Sequence, residues 1–361
     1  MRIAIFGLSI SSAWGNGHAT LWRGLCRALG ALGHEVVFFE RDVPYYASHR
    51  DAPEPEGCEL ILYEDWSAAA ARAASILRSA DVGMVTSYCP DGVDAARLVL
   101  DSAVPLAVFY DLDTPVTLER LERGQPVPYV PDAGLADFDL VLSYAGGRAL
   151  DDLRRLLGAR AVAPLYGSVD PDRHRPVPPD ASRRSDLSYL GTYAADRQQS
   201  LERLFLAPAR RRPDRRFALA GSQYPDDFPW NPNIFYFRHM PPPDHPAFYC
   251  SSGLTLNITR APMALRGYCP PGRLFEAAAC GTAIVSDWWE GLERFFEPGR
   301  EILIADSTES ALEALDLPAG ERGRIADAAR ERTLDCHTAQ IRARELVALL
   351  EQPARATRAE A

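Results

Sequence analysis

The chain has 361 residues, 47% apolar and 24% charged, with a formal net charge of −10. This is the composition of a globular protein long enough for two domains, and all 39 basic residues are Arg, since the sequence contains no Lys. A Walker-type phosphate loop, Schiff-base chemistry and a lysine base are therefore excluded, and an acidic chain without a basic tract does not suit nucleic-acid binding. Anions are left to Arg, helix N-termini and loop amides. The seven cysteines include no Cys-x-x-Cys pair, so neither a disulfide framework nor zinc-ligand spacing is present, and reduced thiols in the cytoplasm are expected. The opening apolar segment is too short for a signal sequence, and no run approaches the roughly 18 apolar residues of a membrane span.

In chain order, residues 3–7 form an apolar run ending at Gly7, followed by a helical pattern over 20–32 and a β-branched, aromatic run at 36–39. The same rhythm gives a strand at 82–86, a helix at 93–100, a strand at 106–110, a strand at 140–143, a helix near 150–157 and a strand at 161–164. A Pro-rich polar stretch then reads as a linker. Beyond it come a strand at 187–190, a helix at 197–205, and strands at 217–220 and 234–237. A helix at 246–251, a strand at 254–257, a helix at 272–280, and strands at 283–286 and 301–304 follow. Two helices close the chain, and residues 353–361 read as a frayed tail. Short apolar strands alternating with helices predict two α/β, doubly wound parallel sheets: a first domain over 1–170, a linker over 171–186, a second domain over 187–335, and a C-terminal helix over 336–361 that can return to the first domain. Tandem Rossmann-like domains suggest a ligand held in a cleft between them.

The most informative stretch runs from Arg266 to Asp287. Pro270 and Pro271 break the chain and start a helix, and Gly272 permits close backbone approach. Arg273 and Glu276 are three apart, on one helix face. A cation in a first turn opposes the helix dipole, and it becomes sensible if an anion sits at that N-terminus. Glu276 is then placed to accept hydrogen bonds from ribose hydroxyls. The plainer reading is that the two residues pair with each other or face solvent. Gly191, Thr192 and Tyr193 follow the first strand of the second domain and suit phosphate or base contact, or a simple turn.

Residues 272–303, GRLFEAAACGTAIVSDWWEGLERFFEPGREIL, resemble the donor-site segment of GT-B glycosyltransferases, most closely the CgeB-like (spore maturation protein-like) group related to family 4, or group 1. Residues 164–177, PLYGSVDPDRHRPV, resemble the segment that closes the first domain in family-4 enzymes. The resemblance implies a GT-B fold, two Rossmann-like domains facing a central cleft, and transfer of a sugar from a nucleotide diphosphate sugar such as a UDP-sugar. No cofactor or metal is implied, and the acceptor is a small molecule, glycan or protein. If the stereochemistry follows family 4, the reaction is retaining and the departing phosphate takes the acceptor proton; if it is inverting, His18, Asp111 or Asp113 must supply the base. Family-4 enzymes commonly carry two glutamates eight positions apart; the second matches Glu276, whereas Tyr268 occupies the place of the first, near the sugar. The family's phosphate-binding lysine must be replaced, with Arg260 and Arg273 as candidates. The resemblance places the nucleobase near Arg238, His239 and Met240.

In the first half, Gly15, Asn16 and Gly17 precede His18, and strand two ends at Glu40. Together these imitate a dinucleotide-binding site. The glycines stand eight residues too late for the tight turn that an NAD fingerprint needs, and Glu40 is then expected to face solvent or pair with Arg41. The resemblance puts the glycine-rich loop against the transferred sugar and acceptor, where His18 can contact the sugar or act as general base. Asp111 and Asp113 form an Asp-x-Asp, the metal motif of the other glycosyltransferase fold. Asp113-Thr114-Pro115 also reads as a helix cap, and with the donor site in the second domain no metal is needed here. One of the two aspartates is expected to serve as base or acceptor ligand, with Gly146 and Gly147 forming a neighbouring loop. Alternatives on the same fold are a nucleotide-sugar epimerase or hydrolase, or a protein that binds nucleotide sugars without catalysis.

Overall fold

Short strands buried on both faces build each half of the chain, as parallel sheets covered by helices require. A computed structural model describes residues 1–352, so the tail expected at 353–361 lies outside the described residues. The described chain divides into two units: Met1–Gly167 with residues 339–352, and Ser168–Thr338. The stretch expected as a linker, 171–186, falls inside the second unit.

The first unit holds β1 (Arg2–Gly7), β2 (Glu35–Arg41), β3 (Glu59–Tyr63), β4 (Val82–Thr86), β5 (Leu106–Asp111), β6 (Leu140–Ser143) and β7 (Val162–Pro164). They form one sheet in the order β3-β2-β1-β4-β5-β6-β7, with every pair parallel. Its core joins Ile3, Ile5, Phe38, Met84, Val108 and Leu142 to Leu21, Trp22 and Leu25 of the helix Gly17–Ala31. Ala339, Ala343, Leu346 and Leu350 of the C-terminal helix Ala339–Glu351 complete it.

The second unit holds β8 (Ser185–Leu190), β9 (Phe217–Ala220), β10 (Ile234–Phe237), β11 (Ser252–Asn257), β12 (Ile284–Ser286) and β13 (Leu303–Ile304). These run β10-β9-β8-β11-β12-β13, again all parallel. In both sheets the chain order reverses at one point, between β1 and β4 and between β8 and β11. Ligands of open α/β sheets bind beyond the carboxyl ends of the strands at such a reversal.

Some elements differ from expectation for identifiable reasons. β3 and the helix Trp66–Leu77 were not foreseen: β3, at the sheet edge, buries only Ile61 and Tyr63, and the helix buries only Ala69, Ala73 and Leu77. The helix expected over 197–205 begins at Gln198 and widens over Glu202–Leu206, just ahead of Pro208. Proline has no N–H to donate back, so the regular ladder cannot run through it. Among the described residues three helices, not two, follow β13, because Pro318 separates Thr308–Asp316 from Ala319–Cys336.

Glu40 corrects a sequence expectation. It neither faces solvent nor pairs with Arg41; it is fully buried at the end of β2. Its carboxylate accepts from the Ser9 hydroxyl (2.8 Å), the Ser11 hydroxyl (2.6 Å) and the amides of Ile10 (2.8 Å) and Ser11 (3.0 Å). Arg41 pairs instead with Asp91, at 2.9 Å. A buried carboxylate needs such a shell, and here the shell fixes the loop after β1. Glu40→Ala strands four donors, so urea unfolding should show a loss of about 3 kcal/mol, whereas a loss below about 1 kcal/mol would mean that water replaces the carboxylate.

Candidate functional site

Arg273 occupies the reversal point of the second sheet. It lies in the first turn of the helix Gly272–Ala279, whose N-terminus carries no side-chain cap. Its Nη1 donates to Asn257 Oδ1 (3.0 Å) and to the Ile258 carbonyl (3.1 Å), both at the end of β11. Its guanidinium lies 5.4 Å from the Tyr189 ring centroid. It also lies against Gly191 at the end of β8: a Cβ there would come within 3.0 Å of Arg273 Nη2 and 2.9 Å of the Tyr189 hydroxyl. Only glycine lets the strand end approach the guanidinium so closely. Asp287 stands nearby, but its carboxylate accepts from the Thr259 amide and hydroxyl.

A second cation at this point was not foreseen. Arg197 is buried, and its Nη2 donates to the Thr192 carbonyl within the Gly191-Thr192-Tyr193 loop. Burial pulls its guanidinium below the ordinary arginine value, and neighbouring Arg273 adds to that shift. Two guanidinium groups meet uncapped helix amides beyond the ends of β8 and β11, an arrangement suited to a polyvalent anion. No periodicity in the sequence marks Arg197; the fold brings it in.

Glu276 does not turn to Arg273. Its Oε1 lies 4.0 Å from His174 Nε2, and its Oε2 lies 3.6 Å from His245 Nδ1. Burial opposes its charge, but the two histidines and Arg273 outweigh that and hold the carboxyl down at about 2. Arg260, the other candidate for the anion, is half-exposed and directs its Nε to Asp196 at 3.3 Å. His239 lies in the loop just beyond β10, partly buried. Tyr268 has φ +46°, donates its amide to the Glu290 carbonyl (2.6 Å), and lays its ring where a Cβ on Gly291 would stand.

The first unit assembles its own group at its reversal point. Asn16 caps the helix Gly17–Ala31: its Oδ1 accepts from the His18 amide, and its Nδ2 donates to the carbonyls of Ser9 and Ser12. Gly15 turns the loop at φ +60°, and Gly17 has open space where a side chain would be. His18 Nε2 lies 3.2 Å from Asp113 Oδ2, and its ring centroid lies 5.9 Å from that of Tyr88, just beyond β4. Tyr88 itself has φ +63°. Asp113 stands at the cap position of the helix Thr114–Glu122 without capping it, which leaves its carboxylate for His18. Asp111 is fully buried, accepts from the Asp113 amide at 3.0 Å, and is pushed up to about 6 by desolvation. Gly146 leaves room for the Tyr166 hydroxyl, and Gly147 precedes the helix Arg148–Leu157. The sequence-expected trio of His18, Asp111 and Asp113 is thus adjacent, with only His18 and Asp113 in side-chain contact.

Residues 197–348 match the family model described as "Glycosyl transferase-like". The fold is similar to that of sucrose-phosphate synthase from Thermosynechococcus elongatus, at TM-score 0.71 and 14% identity over 98% of this chain and 99% of that one. It is also similar to Anabaena HepE in complex with UDP and glucose (TM-score 0.66, 13% identity, 98% and 100% covered). An α-glucosyltransferase in complex with UDP-glucose and DNA containing an abasic site is a third (0.69, 14%, 97% and 99%). No curated protein matches the sequence. The two Rossmann-like parallel-sheet domains have the GT-B fold of these solved structures. No helix among the described residues is long and apolar enough to cross a membrane.

Asp111 offers a check on this geometry. Its folded value near 6 lies above its ordinary value of 3.8, so its burial costs no stability when it is protonated and progressively more as pH rises between those values. Asp111→Asn should therefore be more stable than the wild type above pH ~6, by up to about 3 kcal/mol, with the difference fading towards pH ~4. Chemical unfolding across that range reads it; a difference independent of pH would show that Asp111 is not held as described.

Proposed function

We propose that this protein transfers a sugar from a nucleoside diphosphate sugar to an acceptor, without a divalent ion at the diphosphate and with retention of configuration. The observation that carries this reading is the pair of Arg273 and Arg197 at the reversal point of the second sheet, inside the segment that matches the glycosyl transferase-like model. Two guanidinium groups and the first amides of the helix Gly272–Ala279 supply the positive field that a departing diphosphate needs, and they are fixed before it arrives. Gly191 allows the phosphates close to the backbone. The departing phosphate takes the acceptor proton. In the first unit Asp113 orients His18, which serves the sugar and acceptor. HepE and the α-glucosyltransferase make UDP-glucose the first donor to try.

Tyr268 favours a second reading, a protein that binds nucleotide sugars without transferring them. It stands where related enzymes carry a carboxylate near the sugar, and its ring is fixed against Gly291.

Titration calorimetry with UDP should give saturable binding, and Arg273→Ala should weaken it about 30-fold, the value of a charge-assisted contact. Unchanged affinity would remove Arg273 from the diphosphate. With UDP-glucose, sugar release should proceed without added Mg²⁺ or Mn²⁺; binding with no release at all, over long incubation, supports the non-transferring reading. His18→Ala should lower the turnover rate about 100-fold while leaving UDP affinity intact, as the loss of a contact that positions sugar and acceptor, and normal turnover would free His18 of any role.

A further inference from the structure

Tyrosine hydroxyls near the ends of β8, β9 and β10 are treated unequally by the fold. Tyr224, just after β9, donates to the Gly191 carbonyl at 3.0 Å, and Tyr236 on β10 donates to the Gly221 carbonyl at 2.9 Å. Tyr189, next to last in β8, is fully buried, and its hydroxyl has no hydrogen-bond partner. Arg197 repeats the pattern: its Nη2 donates to the Thr192 carbonyl, whereas its Nε is buried without a partner. Arg197 is close enough to Tyr189 and Arg273 to feel the charge of both. A buried donor left without an acceptor is costly, so two of them at one strand end call for an occupant that accepts.

The surroundings of the Tyr189 hydroxyl indicate which occupant fits. A Cβ on Gly191 would have as its nearest neighbours the Tyr189 hydroxyl at 2.9 Å, Arg273 Nη2 at 3.0 Å and Tyr189 Cζ at 3.1 Å. The φ of Gly191 is not positive, so the backbone does not require glycine there; what the residue supplies is room. The hollow is bounded by one neutral donor and one cationic donor. Arg273 Nη1 is engaged by Asn257 Oδ1 and the Ile258 carbonyl, which fixes the guanidinium with Nη2 at the hollow. An anionic oxygen accepts from both donors at once, and hydrogen bonds to a charged oxygen are about twice as strong as neutral ones.

We infer that Tyr189 is a further binding residue for the diphosphate, its hydroxyl donating to a phosphoryl oxygen that Arg273 also holds beside Gly191. This assignment rests on the proposal that the site takes a nucleoside diphosphate, and it adds a neutral donor to the two guanidinium groups. When the bond from sugar to phosphate breaks, negative charge grows on the departing phosphate. A donor fixed in a buried strand stabilises that charge without reorganising. In a chain without lysine, a phenol completes the set of donors at the diphosphate.

The test is Tyr189→Phe, which removes the hydroxyl and keeps the ring. Titration calorimetry with inorganic pyrophosphate and with UDP should show both affinities falling about 10-fold. Urea unfolding without ligand should give a midpoint no lower than that of the wild type, because the hydroxyl removed had no partner to lose. Either affinity unchanged, or a loss of affinity accompanied by a lower midpoint, overturns the assignment. If Tyr189→Phe does not fold, Gly191→Ala decides: its methyl group fills the hollow and should weaken both ligands at least 10-fold, and unchanged affinities overturn the assignment. A wild type that binds neither ligand overturns it together with the sugar-transfer reading. A wild type that binds pyrophosphate but releases no sugar from UDP-glucose loses the transfer while Tyr189 keeps its place. Sugar transfer by the wild type, with unchanged affinities in Tyr189→Phe, removes Tyr189 alone.

Discussion

The guanidinium of Arg273 is the constraint around which the second unit is arranged. It is fixed from three directions: hydrogen bonds to Asn257 and Ile258 at the end of β11, the Tyr189 ring below, and the bare backbone of Gly191 at the end of β8. An arginine in the first turn of a helix works against the helix dipole. The fold tolerates it because the strand ends supply acceptors for one edge of the guanidinium. With Arg197 beside it, the result is a concentrated positive field in a chain that is acidic as a whole. Local field, rather than net charge, decides which ligands such a site attracts.

The first unit shows the same logic with opposite sign. A buried carboxylate, Glu40, gathers two hydroxyls and two amides and so determines the path of the loop after β1. That loop leads to Asn16, which caps the next helix and sets His18 at its start. His18 then meets Asp113 from the end of β5. In the first unit a buried ion thus rigidifies a strand-end loop, and the chemically useful side chain is the one the loop delivers.

Much of the strand and helix pattern was legible, because parallel strands buried on both faces leave unbroken apolar runs such as those of β4, β6 and β9. The edge strand β3 was not, since Glu59 and Leu62 face solvent. Glu40 was misread because its partners lie thirty residues earlier, and nothing local reveals them. Arg273 stood out by its place in a helix start. Arg197 did not, because its meaning lies in a neighbour from another strand end. His174 and His245 passed unremarked for the same reason: a single histidine carries no signal until a second one and a carboxylate come to face it.

The sequence alone determined that the chain forms two α/β halves, that anions must be held by arginine and backbone because lysine is missing, and that a helix begins after Pro271 with Arg273 in its first turn. Tertiary structure alone decided the order of the strands. Hydrophobic pattern is blind to that order, since every buried parallel strand reads alike whichever neighbour it takes. Only when β8 lies beside β11 do Gly191, Arg197, Asn257 and Arg273 meet, and only when β1 lies beside β4 do His18 and Tyr88.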